Sequence, residues 1–416
     1  MVDGHLTPHL QACVTRLGTW IPFEHAAAFM ADLLGVYLSE PTARRQTEQW
    51  GAEYEAAQEQ EVARLEQELP PVPAGPAKLL LSVDGAMVPL VGGEWAEVKT
   101  MVLGVIQEPV WEGGQWVVHT GELSYFSRLM EAEVFAHAAL GEVHRRGVEQ
   151  AGQVVAVTDG AAWEQGFIDY HCEDAIRILD FPHAAEYVAR MGEAVWGPGT
   201  PHMQAWLAEQ LHTLKHQGAT DSLPQLRALQ RSHPQCADLN AALSYLEKRE
   251  AQMQYPTYQA HGWPIGSGAV ESANKVTVEA RLKGAGMHWA RAHVNPMLAL
   301  RNAVCNDRWP EACTQIYSYQ RQQRQRKRQV RRALHLAHRV TVEPKIVEHS
   351  CPPPPAPIRV VANAEPLALP QSSGLQATDL RLPRQPWRPG PDHPWRHMPI
   401  GKARYRQSSP HPPARK

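Results

Sequence analysis

KLLLSVDG (residues 78–85) and QVVAVTDG (residues 153–160) decide the fold of this chain. Each is a short apolar run, enriched in Leu or Val and bounded by turn residues, and so reads as a buried strand. Each ends in Asp-Gly, at Asp84-Gly85 and at Asp159-Gly160. Between them, Glu97–Ile106 (EVKTMVLGVI) and Gln115–Thr120 (QWVVHT) also favour strands, and Glu131–Arg145 favours a helix. AIRIL (Ala175–Leu179) is a further strand, ending at Asp180. Three strands, helix, strand, helix, strand predicts an α/β protein built on a mixed sheet.

Working outward, residues 1–70 read as helices. Leu10, Cys13, Val14 and Leu17 keep helical spacing, as do Ala28, Phe29, Ala31, Leu33 and Leu34. A turn follows, with Ser39 as N-cap and Pro41 in the first turn of the next helix, where proline is tolerated. That helix carries Thr42, Arg44, Arg45, Thr47 and Gln49, so the region has a helix-turn-helix pattern with Arg44 and Arg45 as candidate DNA contacts. Residues 71–76 (PVPAGP) read as a Pro-rich linker. The sheet-forming core then falls into two parts, 77–183 and 262–306, separated by an all-helical insertion over 184–261. Residues 307–340 form a basic helix. Beyond 341 the chain holds about half of its 35 prolines and is expected to be disordered.

The net charge of −2 conceals a split: residues 1–300 carry −16 and residues 301–416 carry +14. An acidic body with a basic end points towards nucleic acid as a partner. Tyr319–Arg339 contains eight basic residues and no acid. Arg321, Arg324, Arg326, Lys327, Arg328, Arg331 and Arg332 in it are candidate phosphate contacts. No run of about 18 apolar residues is present, which excludes a membrane-spanning helix. The first residues lack a signal-peptide pattern, so a cytoplasmic protein is expected. The six cysteines contain no CxxC pair, so no structural zinc and no disulfide framework are expected.

Asp84 and Asp159 are the sharpest chemical feature. Ligands of open α/β sheets gather beyond the carboxyl ends of strands, and two carboxylates placed together there need a cation between them. Mg²⁺, for which Mn²⁺ can substitute, suits carboxylates, water and substrate phosphate. A third carboxylate is best supplied by Glu271, in the first turn of a helix after Gly266-Ser267-Gly268, with Ser267 as N-cap and Lys275 one turn further on. Asp180 competes for that role, and its neighbour His183 is a possible accessory group. Asp174, Glu94, Glu164 and Glu279 read as solvated or paired surface groups, and Trp263 and Trp289 as core. No residue stands out as a Ser, Tyr or Cys nucleophile, and no organic cofactor is expected.

SVDG (Ser82–Gly85), VTDG (Val157–Gly160), LDFPHAAEYV (Leu179–Val188) and above all GSGAVESANKVTVEARLKGAGMHW (Gly266–Trp289) resemble bacterial insertion-sequence transposases of the Kra type. These belong to the DDE superfamily, with an RNase H-like catalytic fold. The resemblance runs over nearly the whole chain, and DHPWR (Asp392–Arg396) is similar to a recurring end-piece of the family. It implies Asp84, Asp159 and Glu271 as the catalytic and metal-binding carboxylates. It implies metal-dependent cleavage at element ends, followed by attack of the freed 3′-OH on target DNA. It also implies double-stranded DNA as partner and a homo-oligomer that holds two ends. Lys275, Arg281 and Lys283 would then lie near the cleaved strand. The chain departs from the family in lacking a cysteine-paired zinc-binding segment ahead of the helical region. The alternatives are a catalytically inactive, domesticated DNA-binding relative and a simple RNase H-like nuclease.

Overall fold

Continuous apolar runs make the central strands, which are buried on both faces by packed helices. The computed structural model describes residues 6–341. The proline-rich tail, with Asp392–Arg396, Trp387 and Cys351, lies outside the described residues. The chain begins with α1 (Pro8–Trp20), α2 (Phe23–Leu34) and α3 (Glu40–Glu68). The strands β1 (Lys78–Pro89), β2 (Trp95–Ile106), β3 (Val110–Glu112), β4 (Gln115–Val117) and β5 (Thr120–Arg128) follow. Next come α4 (Ala132–Arg145), β6 (Gln153–Thr158), α5 (Ala162–His171), β7 (Ile176–Leu179) and α6 (Phe181–Trp196). A wholly helical stretch then holds α7 (Pro201–Gln217), α8 (Ala219–Ser232), α9 (Ala237–Glu247) and α10 (Tyr255–Ala260). The last elements are α11 (Gly268–Ala273), a π-helical segment (Asn274–Glu279), α12 (Ala280–Leu282), α13 (Arg291–Cys305) and α14 (Trp309–Thr341).

The fold is α/β, with one five-stranded mixed sheet in the order β5-β2-β1-β6-β7. β1, β2 and β5 are antiparallel, whereas β6 and β7 run parallel to β1. Two expectations about strands are corrected. β1 does not end at Asp84-Gly85. It continues to Pro89, because Ala86 and Val88 are buried and β2 pairs with it from Leu79↔Val105 to Pro89↔Trp95. QWVVHT is not one strand: Gln115–Val117 forms a small hairpin with Val110–Glu112, and the sheet's third strand is Thr120–Arg128.

Side chains alternate across β1. Leu79, Leu81 and Val83 face Phe135 and Ala139 of α4 and Phe167 and Ile168 of α5. Leu80 faces the other way, into a cluster with Val157, Val188, Leu223 and Leu246. Further along that second face, Ala86 and Val88 meet Val278, Leu282, Trp289 and Leu298. Asp84 therefore stands on the second face between two apolar clusters, one capped by the helical insertion and the other by the π segment, α12 and α13. β6 pairs with β1 only as far as Leu81↔Ala156, so the edge of β1 beyond Leu81 is unpaired on that side. This opening is the crevice that positions the site.

The N-terminal helices are fastened to this body. Trp50 and Tyr54 of α3 pack against Leu300 and Ala303 of α13. A Cβ on Gly51 would stand 2.4 Å from the Pro296 carbonyl oxygen, so only glycine permits the close helix crossing. The Pro-rich stretch before β1 is also tied down: Gly152 and Gln153 donate backbone N–H groups to Pro76 O and Ala77 O at 3.0 and 2.9 Å. Among the described residues, no helix is long and apolar enough to cross a membrane.

Candidate functional site

Two strands, one turn and one helix bring the acids together. Asp84 projects from the middle of β1 at the edge that β6 leaves open, and Asp159 is the first residue after β6. Glu164 lies in the first turn of α5, just beyond the same turn. One carboxylate oxygen from each of Asp84, Asp159 and Glu164 lies within 4.8 Å of the others. Asp84 and Asp159 are half-buried and Glu164 is only 1% exposed.

Glu164 corrects the sequence reading, which placed it on the surface. An acid in the first turn of a helix is usually a solvated helix-dipole partner. Here the Asp159–Ala161 turn folds the side chain inward, and its Oε2 accepts from Gly160 N at 3.1 Å and Ala161 N at 3.2 Å. Gly160 makes this possible with φ +81°, a region that L side chains rarely adopt. Burial and the neighbouring Asp159 and Asp84 push the Glu164 carboxyl up to about 10. Asp84 is also raised, mainly by burial, and further by the charges of Asp159 and Glu271. Hydrogen bonds from Gly85 N and Asn274 act against this rise.

Glu271 is exposed on α11, and Ser267 Oγ donates to its Oε1 at 3.3 Å. Val270 and Ala273 fix this helix against Val102 of β2. Glu271 is not one of the three clustered acids; its charge adds to the upward shift of Asp84 and Asp180. Asn274, three residues on, donates from Nδ2 to Asp84 Oδ2 at 2.8 Å. Sequence reasoning passed over Asn274, since polar residues on helices are usually solvated.

Asp180 is a brace. Its Oδ1 accepts from Ser267 N at 2.6 Å and its Oδ2 from His183 N at 3.0 Å, so it caps α6 and anchors the loop leading to Glu271. Asp180 is not among the clustered acids. His183 packs edge-on to Tyr187 and Tyr245, with ring centroids at 5.3 and 5.9 Å, and is not among the clustered acids.

The helical insertion reaches the site through two side chains. Tyr245 donates its hydroxyl to the Asp159 carbonyl, and Arg249 donates from both Nε and Nη2 to the Gly160 carbonyl. Arg249 lies 3.7 Å above the Tyr245 ring, which in turn stacks on Tyr187.

The basic candidates divide. Arg44, Arg45 and Lys275 are exposed, as are Arg321, Arg324, Arg326, Lys327, Arg328, Arg331 and Arg332 along α14. Lys283 is half-buried and pairs with Glu279 at 2.7 Å. Arg281 is corrected: it is 2% exposed, donates to Gly18 O at 3.0 Å and lies over the rings of Phe23 and Trp289, so it serves the core. Trp263 and Trp289 are buried, as expected.

Beside the loop before Glu271 runs a groove of about 530 Å³, bordered by Trp116, Lys215, Trp263, Gly266 and Gly268 and by no carboxylate. No family model matches the chain, and no curated protein matches it.

Proposed function

We propose that the chain is a DDE-type DNA transposase with an RNase H-like core. In this reading Asp84, Asp159 and Glu271 hold divalent cations for cleavage at insertion-sequence ends and strand transfer of the 3′-OH. The observation that carries it is the convergence of Asp84 and Asp159, 75 positions apart in sequence, at the unpaired edge of β1. The mixed sheet order, and the helical stretch between β7 and the Glu271 helix, support the fold reading.

The residues fit a hard cation. All the clustered donors are oxygens, the acids are close enough to repel one another, and the Asn274 side-chain oxygen is buried without a hydrogen-bond partner. When bound, Mg²⁺ or Mn²⁺ would activate the attacking oxygen and stabilise the leaving one. The protein's own share is positional. Asp84 is fixed by Gly85 N and Asn274, Asp159 by the Tyr245–Arg249 clamp, and Glu271 by Ser267 and the Asp180 brace. Lys275, exposed four residues after Glu271, is the phosphate contact in this reading. Arg44, Arg45 and the α14 arginines extend that contact along a duplex.

The test is a Mg²⁺ or Mn²⁺ reaction on a plasmid carrying the gene with its native flanking DNA, comparing the wild type with Glu271→Gln. Nicks at two inverted flanking sequences, joining of their 3′ ends to target DNA, and loss of both in the variant are expected. Hydrolysis without joining would support a simple nuclease instead. Binding that persists in EDTA with no cleavage product would support a domesticated DNA-binding protein.

A further inference from the structure

A side-chain hydrogen bond from Asn274 joins the helix of Glu271 to the first aspartate. Asn274 is 6% exposed, its Nδ2 donates to Asp84 Oδ2 at 2.8 Å, and its Oδ1 has no hydrogen-bond partner. A buried amide oxygen is costly to leave unpaired, and nearly all such atoms have a partner. The amide cannot be turned to relieve it, because its oxygen would then face the acceptor-only oxygen of Asp84.

The backbone around Asn274 is also unusual. It opens the π-helical segment Asn274–Glu279, a form found as short bulges, often at functional sites. The segment is held from behind by buried Arg301, which donates to Thr277 O at 3.3 Å and to Val276 O. Thr277 on the same segment donates to Ala273 O at 2.7 Å. Asn274 is therefore presented to Asp84 by a braced backbone.

We propose that Asn274 is a positioning residue of the cation site. Its Nδ2 fixes one oxygen of Asp84, and its unpaired Oδ1 would accept a hydrogen bond from the hydration of a divalent cation that the acids would hold. This rests on the reading of Asp84 and its neighbours as cation ligands. It adds a neutral partner that ties the Glu271 helix to Asp84.

The experiment measures Mn²⁺ binding to the full chain by titration calorimetry, and unfolding temperature with EDTA or Mn²⁺. Wild type, Asp84→Asn, Asn274→Ala and Asn274→Asp are compared. The expected result is a loss of Mn²⁺ affinity of about tenfold or more in Asn274→Ala, in line with partners that orient metal ligands. Asn274→Asp keeps the shape but sets a second carboxylate against Asp84. It should melt lower than wild type in EDTA and gain more than wild type on adding Mn²⁺, a response that a merely structural role would not give. Wild-type affinity in Asn274→Ala, or a Mn²⁺ gain in Asn274→Asp no larger than wild type, overturns the inference and leaves the acid site standing. Wild-type affinity in Asp84→Asn overturns the underlying reading instead.

Discussion

The hydroxyl of Tyr245 donates to the main-chain carbonyl of Asp159, 86 residues earlier in the chain. With Arg249 on the adjacent Gly160 carbonyl, it makes the helical insertion a support of the turn that carries Asp159 and aims Glu164. A Cβ on Gly160 would lie 2.4 Å from Arg249 Nε, so the contact is close on both sides.

Removing that support should impair cleavage without abolishing the fold. Tyr245→Phe loses one hydrogen bond, at about 1 kcal/mol. Arg249→Ala also frees the Gly160 carbonyl, and displacement of Asp159 should lower metal-dependent cleavage about 10- to 100-fold. Denaturant melts and nicking rates measure the two effects separately. Full activity in Arg249→Ala would show that the insertion does not position Asp159.

The acids were only partly legible in the sequence. Asp84 and Asp159 follow apolar strand patterns, and that signal suffices to find them. It misplaced the end of β1, because Asp-Gly suggests a turn, whereas the Ala86 and Val88 positions continue the burial to Pro89. Glu164 was hidden because first-turn acids normally face solvent, and only the left-handed backbone at Gly160 turns it inward. Asn274 was hidden because a helical period cannot show the π segment that presents it.

Arg281 shows the same limit for the basic residues. A lysine- and arginine-bearing turn reads as a phosphate contact, but burial against Phe23 and Trp289 is a tertiary outcome. Arg281→Met should therefore leave the salt dependence of DNA binding unchanged. Replacing Arg324, Arg328 and Arg332 with alanine should flatten the plot of log affinity against log salt by roughly one unit per phosphate contact removed. Filter binding over a salt series decides between these residues.

Gly51 sets the distance between α3 and α13. Gly51→Ala should destabilise the protein by about 1–3 kcal/mol through overpacking against the Pro296 backbone, read as a lower denaturant midpoint. An unchanged midpoint would mean that the N-terminal helices are not fastened to the body as described.

His171 gives the fold a sensitivity to acid. Burial against Phe167 lowers its pKa to about 4, although a ring nitrogen hydrogen-bonds Ala136 O at 2.9 Å. Its unfolded pKa is 6.5, so between these values the unfolded chain binds more protons than the folded one. The stability this neutral histidine contributes is fully present above pH 6.5 and is lost as pH falls towards 4. His171→Gln should flatten stability against pH across that window, measured by urea unfolding at several pH values. An unaltered slope would assign the acid sensitivity to other groups.

The most direct measurement is strand cleavage by wild type and by Asp84→Asn in Mg²⁺, on plasmid DNA with the gene's native flanks. The substitution keeps the shape of the side chain and removes the charge at the centre of the acidic cluster. Because metal catalysis supplies several kcal/mol, cleavage should fall by at least about 100-fold. Cleavage by Asp84→Asn at the wild-type rate would contradict the assignment of this crevice as the active site.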